Sequence, residues 1–180
     1  MVIKQLKPEH AKAWFDFFDN RAFADHEEWQ GCYCTGPFTP RMKEYKNASR
    51  RRRDYAIWLV EHGIMKGYLA FDNARVVGWC NVGDKGAFSS LGGLQTPEDK
   101  VISITCFTIQ KEYRARGVAQ RLLQRVIKEA KANKKKLIEA YPSRMSKSEF
   151  GNFHGPFSMY EKYGFKPERI RGVEVVRLHL

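Results

Sequence analysis

Several things are scarce in this sequence, and each scarcity narrows what the chain does. Its longest uncharged apolar run is Tyr55–Val60, far short of the roughly 20 residues that span a bilayer, so no membrane partner is expected. The opening MVIKQLKPEH has no apolar core of a signal peptide, and a cytoplasmic location is the expectation. Cysteine occurs four times, at Cys32, Cys34, Cys80 and Cys106, with no C-x-x-C pair. Cys32-Tyr33-Cys34 offers two thiols without a second pair, so no metal site is expected and the thiols read as free. Acidic residues are outnumbered, 20 against 32 Lys and Arg, for a formal net charge of +12. Such an excess suits nucleic acid, an acidic substrate or an anionic ligand. No zinc-finger spacing, helix-turn-helix pattern or aromatic-basic RNA signature accompanies it, which places nucleic acid last. No repeat, low-complexity tract or long linker divides the 180 residues. One domain over 1–180 is expected, and 43% apolar residues suffice for its core.

The periodicities then give an order of elements. Val2–Leu6 alternates as a first strand. Pro8 opens a helix in which Ala11, Trp14, Phe15 and Phe18 share a face. Asp25–Thr39 has no period and is rich in glycine, aromatics and acids, as a pocket-lining loop would be. Pro40–Gly63 reads as helical, broken near Asn47, with Ala56, Ile57, Leu59 and Val60 inward. Arg50–Arg53 on it reads as a solvated helix start, or as a dock for an acidic partner. Gly67–Phe71 and Arg75–Val82 form a hairpin about Asp72-Asn73. Gly83–Thr96 is loop. After the central segment come a strand at Leu137–Tyr141, a polar basic stretch at Pro142–Gly155, a short helix at Pro156–Tyr163, and a last hairpin about Gly172. Lys134–Lys136 suits the negative end of the preceding helix. The order predicts an α/β fold: a mixed, mostly antiparallel central sheet flanked by helices.

The chain is organised around Val101–Leu123. Ile102, Ile104 and Cys106 alternate with Ser103, Thr105 and Phe107, the period of a strand. Ala119, Leu122, Leu123, Val126, Ile127 and Ala130 then follow helical spacing. Between them stands Arg114-Ala115-Arg116-Gly117-Val118-Ala119. A strand entering a helix through such a turn is an anion site. The helix start offers unpaired N–H groups and a positive dipole end, glycine permits close approach, and arginine suits phosphate.

These residues resemble the GNAT superfamily of acyl-CoA-dependent N-acyltransferases. The family carries Arg/Gln-x-x-Gly-x-Gly/Ala between its fourth strand and third helix, and Arg114–Ala119 fits it. Phe107–Tyr113 is similar to the family's strand end, with Lys111 where proline is common. Met159-Tyr160-Glu161-Lys162-Tyr163-Gly164-Phe165 is similar to its C-terminal Tyr-Glu-Lys-x-Gly-Phe. The likeness runs from Gly67 to the C-terminus and reaches the N-terminal third only by topology. It implies a GNAT-like fold and acetyl-CoA as co-substrate. The backbone of Arg114, Ala115, Arg116, Gly117, Val118 and Ala119 would hold the pyrophosphate. Phe107, Thr108 and Ile109 would line the pantetheine, with an N–H near Phe107 at the oxyanion. Tyr160 would protonate the leaving thiolate, and Asn152 would contact the cofactor, although it lies one residue further from the tyrosine than usual.

The implied reaction is transfer of an acetyl group to a primary amine of a small molecule by direct attack. Trp29, Tyr33, Phe38 and Trp79 are expected to wall its pocket, and the acidic Asp25–Glu28, Glu28 in particular, to attract a cation. No carboxylate stands on Val101–Ile109, so the base stays open among Asp25, His26, Glu27, Glu28 and Glu139. A homodimer is compatible with this reading. The alternatives are a non-catalytic module that binds or senses acyl-CoA and, behind it, a nucleic-acid-binding protein.

Overall fold

A computed structural model describes residues 1–38, 52–88, 100–142, 149–170 and 172–180. The expectations for Pro40–Arg51, for residues 89–96 and for the basic stretch 143–148 lie outside them. Seven strands make one sheet: β1 (Val2–Gln5), β2 (Gly67–Asp72), β3 (Arg75–Asp84), β4 (Val101–Ile109), β5 (Leu137–Ala140), β6 (Lys166–Ile170) and β7 (Val173–His179). Their spatial order is β1-β2-β3-β4-β5-β7-β6. Only β4 and β5 run parallel, because a helix returns the chain between them. The helices are α1 (Ala11–Asn20), α2 (Arg52–Glu61), α3 (Val118–Ala132) and α4 (Phe157–Lys162). None of the described helices is long and apolar enough to cross a membrane.

Both faces of the sheet are covered, which is why β3 and β4 are buried nearly throughout. On one face α1 and α2 bring Trp14, Phe17, Phe18, Tyr55 and Leu59 onto Leu69, Trp79 and Cys106. On the other, α3 and α4 bring Leu122, Leu123, Val126, Met159 and Tyr160 onto Ile104, Phe107 and Ile138. Each such side chain, fully buried, stabilises the fold by about 1.5–3 kcal/mol. The predicted stripe on α3 is the buried one, with Ala119 and Ile127 at its margin.

One strand departs from its alternation. Asn81 on β3 is opposite Cys106, but Val82 is opposite Ile104, so Thr105 is an extra residue on β4. This β-bulge turns Cys106 to the α1–α2 face and Phe107 to the α3 face with Ile104. The expected grouping of Cys106 with Ile102 and Ile104 is thereby corrected. Because Ser103, Thr105 and Thr108 are buried along with the apolar residues, no exposed polar face marks the slip in the sequence.

A buried ion cluster ties β4, β5 and β7 together. Ser103 and Glu139 are register partners. Glu139 lies 2.9 Å from Lys85 Nζ, and neither side chain is exposed. Its other oxygen accepts from Arg177 Nε and Nη2 at 3.2 and 3.0 Å, and Tyr141 donates its hydroxyl to the first. Burial raises the Glu139 pKa, but the bonds from Tyr141, Lys85 and Arg177 outweigh it and the net shift is downward. The basic runs are partly absorbed in the same way: Lys135 pairs with Asp84 at 2.6 Å and Arg53 with Asp19 at 2.8 Å.

Two stability predictions follow from these contacts. A Cβ on Gly67 would stand 2.2 Å from the Trp79 ring and 2.3 Å from the Cys80 carbonyl, so Gly67→Ala should cost about 3 kcal/mol in urea denaturation. Glu139→Gln should cost about 3–5 kcal/mol at neutral pH, because it leaves Lys85 buried without a counter-ion. Since the native pKa of Glu139 is depressed, its contribution is complete above the unfolded value of about 4.3 and is lost as pH falls through the lower native one. Denaturation series at neutral and acidic pH should therefore show the gap between wild type and variant narrowing in acid.

Candidate active site

The parallel pair is short. Val101–Ile104 pairs with Leu137–Ala140, and β4 continues to Ile109 after β5 has ended. Past Ile104, among the described residues, the edge of β4 that faces away from β3 therefore has no strand beside it. Gln110 N donates to Val77 O on the β3 side, so by alternation the N–H and C=O groups of Phe107 and Ile109 point the other way. Two of the carbonyls are met by side chains. His154 Nδ1 reaches Thr105 O at 2.8 Å, and Arg114 Nε reaches Ile109 O at 3.0 Å. Phe107 lies between them, with Thr108 buried beside it and its Oγ1 3.6 Å from Cys106 Sγ.

The turn after β4 has an unusual backbone. Ala115 and Gly117 both have positive φ, +57° and +76°. A left-handed alanine costs about 1–2 kcal/mol, so the surrounding contacts must hold the turn in place. Tyr113 donates to Asp72 at 2.7 Å. Val118 packs beneath Gly78, where an added Cβ would meet its Cγ1 at 2.9 Å. Helix geometry leaves the N–H groups of Val118, Ala119 and Gln120 without intrahelical acceptors, the first such bond running from Arg121 N to Gly117 O. A Cβ on Gly117 would meet nothing within 4 Å. The glycine is thus required by its φ, and the space over it is open to a ligand. Exposed Arg116 sits between the two left-handed residues. Open N–H groups, a helix start and a free cation fit a pyrophosphate.

Arg114 is placed differently from the sequence expectation. Its guanidinium grips Asp25 with two bonds, 2.6 and 3.0 Å. That bond from Arg114, against a smaller opposing effect of burial, holds the Asp25 carboxyl below its usual range. The arginine joins the turn to the loop after α1, and its side chain is engaged before any anion arrives. In the same loop His26 stacks on Trp29 at 3.8 Å and meets Glu28 at 3.0 Å.

Tyr160 is fully buried on α4. Its hydroxyl donates to His154 O at 2.6 Å, and its ring stands 6.5 Å from that of Phe107. Burial, with smaller effects of Cys80 and Cys106, pushes its pKa well up, so the phenol keeps its proton. Asn152 is exposed in the 3-10 turn Glu149–His154, and its carbonyl accepts Gly155 N. Trp79, expected on a pocket wall, is instead core: it is fully buried, edge-on to Trp14 at 5.7 Å. Phe38 is also fully buried and Tyr33 nearly so, while Trp29 is half-exposed. Glu139 is saturated by the ion cluster and has no lone pair to spare for a substrate.

His154 was not singled out by the sequence, since a histidine between Phe153 and Gly155 matches no motif. A carbonyl can only accept, so Nδ1 carries the proton and Nε2 presents a lone pair in the neutral ring. Burial lowers its pKa, opposed by the Thr105 bond. The residue joins three parts of the site: the β4 bulge through its ring, the Tyr160 hydroxyl through its carbonyl, and α4 through the chain.

The comparisons with known proteins agree with this geometry. A family model described as Acetyltransferase (GNAT) family matches residues 9–147. Among solved structures, the fold resembles the PaiA N-acetyltransferase of Thermoplasma acidophilum in complex with coenzyme A, at 16% identity, TM-score 0.57 and 100% of both chains. It also resembles the GNAT domain of S. lividans PAT, at 14% identity, TM-score 0.60, 99% of this chain and 89% of that one. An N-acetyltransferase from Staphylococcus aureus Mu50 covers 99% of this chain and 97% of its own at 16% identity, TM-score 0.54. No curated protein matches the sequence. A sheet opened between β4 and β5, a left-handed turn at the start of α3, and a family match over most of the length lead to one conclusion: the chain belongs to the GNAT acetyltransferase family.

Proposed function

We propose that the protein is an N-acetyltransferase that moves an acetyl group from acetyl-CoA to a primary amine of a small molecule, by direct attack. The observation that carries this reading is the open edge of β4 at Phe107, which ends at the left-handed turn before α3. Acetyl-CoA, when bound, supplies the activated thioester. The N–H groups of Val118, Ala119 and Gln120, with Arg116, take the pyrophosphate. Phe107 offers its N–H and C=O to the pantetheine amides as a neighbouring strand would, and an N–H at the bulge stabilises the oxyanion.

Two groups move protons. The Tyr160 hydroxyl, held protonated by burial, gives its proton to the departing thiolate. Nε2 of His154 takes the proton of the attacking amine. It takes this role ahead of three other candidates because Asp25 is paired with Arg114, His26 is stacked on Trp29 and Glu139 is saturated. The amine enters from the loop after α1, where Glu28 and Trp29 flank the approach.

Isothermal titration should show acetyl-CoA and CoA binding at micromolar concentration; no binding at high micromolar concentration rejects the reading. In a thiol-release assay over a panel of amines, Tyr160→Phe should lower kcat by about 10–100-fold with little change in KM. The wild-type rate should rise with pH through an apparent pKa below 6.5, since burial depresses His154 and a base must be deprotonated to work. His154→Gln should lose that limb, and a variant that keeps the wild-type pH profile removes His154 as the base.

A further inference from the structure

Cys34 and Cys106 meet beside the site with Cys32 two residues along the chain, and the acyl-transfer chemistry uses none of them. Cys106 stands just past the β4 bulge, next to Phe107. Cys34, in the loop after α1, places its Sγ 3.4 Å from Cys106 Sγ. Both are buried. Cys32 lies two residues earlier and is exposed.

The contact is built. Cys34 has φ +52°, a strained backbone for a residue with a side chain. It is held there by Asn81, a fully buried residue whose Nδ2 donates to Cys34 O at 3.1 Å. That bond fixes the Cys34 thiol onto Cys106. Cys32 and Cys34 also differ in ionisation. The Cys34 thiol, against an opposing effect of burial and with help from the Cys34 backbone and Arg52, brings Cys32 down to about 6. Cys106, Cys32 and burial push Cys34 well up.

We propose that Cys32, Cys34 and Cys106 form a thiol relay that reacts with small hydroperoxides and stores the oxidation as a Cys34–Cys106 disulfide. The Cys32 thiolate attacks the peroxide: an S–O bond forms, the O–O bond breaks, sulfur loses two electrons, and the alkoxide or hydroxide leaves to pick up a proton. Cys34 then attacks the Cys32 sulfur. An S–S bond forms, hydroxide departs, and the Cys34 proton makes it water. Cys106 attacks Cys34 Sγ in turn, and Cys32 leaves as thiolate while the Cys106 proton passes to solvent. The net change is two thiols and one hydroperoxide to a disulfide, an alcohol or water, and one further water.

Physical chemistry favours this direction. A thiol of pKa about 8.5 is only roughly 3% ionised at pH 7, so Cys32 presents about thirty times more thiolate. Lower basicity takes back roughly tenfold in intrinsic nucleophilicity, which leaves a gain of a few-fold. Exposure therefore selects Cys32 more than ionisation does: Cys34 and Cys80 are buried and their pKa values are raised well above the ordinary value. In the last exchange Cys32, whose pKa is lowered, is a ready leaving group as thiolate. The product disulfide would fasten the loop at Cys34 to β4 beside Phe107.

The test needs neither CoA nor an amine, so it stands apart from the acyl-transfer reading. The reduced full chain is treated with a slight excess of hydrogen peroxide at pH 7, alkylated, digested and mapped by mass spectrometry. The expected product is a Cys34–Cys106 cross-linked peptide, with Cys32 and Cys80 still alkylatable, reverted by dithiothreitol. Cys32→Ser, an exposed substitution, should slow its formation by about tenfold or more. Cys106→Ser should instead stop at a Cys32–Cys34 disulfide. Cross-linking of Cys32→Ser at the wild-type rate, or conversion of wild-type Cys32 to sulfinic acid without a disulfide, overturns the relay.

Discussion

Ser103 and Glu139 sit opposite each other on the two parallel strands, and the site depends on how abruptly that pairing ends. Four residues of β4 pair with four of β5. At the closed end Glu139 gathers Lys85, Arg177 and Tyr141 into a buried cluster. A charge there is tolerable only because every partner is present. At the open end there is no β5 residue left, and the chain meets the exposed backbone with side chains instead. His154 takes the Thr105 carbonyl and Arg114 the Ile109 carbonyl. A buried backbone edge must be paired with something. The backbone groups of Phe107, between those two side chains, face the same way.

The bulge at Thr105 belongs to the same arrangement. It exchanges the faces of Cys106 and Phe107, so the aromatic ring joins Tyr160 on the α3–α4 side while the thiol meets Cys34 on the other. One inserted residue thus decides what each side of the opening presents. The turn that follows is held from three directions: Tyr113 on Asp72, Val118 under Gly78, and Arg114 on Asp25. The last contact links the turn before α3 to the loop that carries Glu28 and Trp29. One ion pair therefore couples the start of α3 to the loop after α1.

Much of this was legible beforehand. The α3 stripe, the β2–β3 hairpin about Asn73, the last hairpin about Gly172 and the strand–turn–helix at Arg114–Ala119 follow from periodicity and turn chemistry. Those signals are local, set by residues a few positions apart. In sequence, an aromatic residue in a strand looks the same whether it walls a pocket or fills a core; for Trp79 the contacts with Trp14 and Gly67 decide it. Arg114 was expected at phosphate because its motif says so, but its partner Asp25 is 89 positions away.

By itself, then, the sequence determined the elements, their order and the turn before α3, because helical and strand periods and a left-handed glycine are properties of short segments. The tertiary structure alone decided which polar groups are already satisfied. It saturated Glu139, engaged Arg114, set His154 against the β4 bulge and brought Cys34 to Cys106. Each of these is a contact between distant segments, formed only when the sheet brings their strands and loops together.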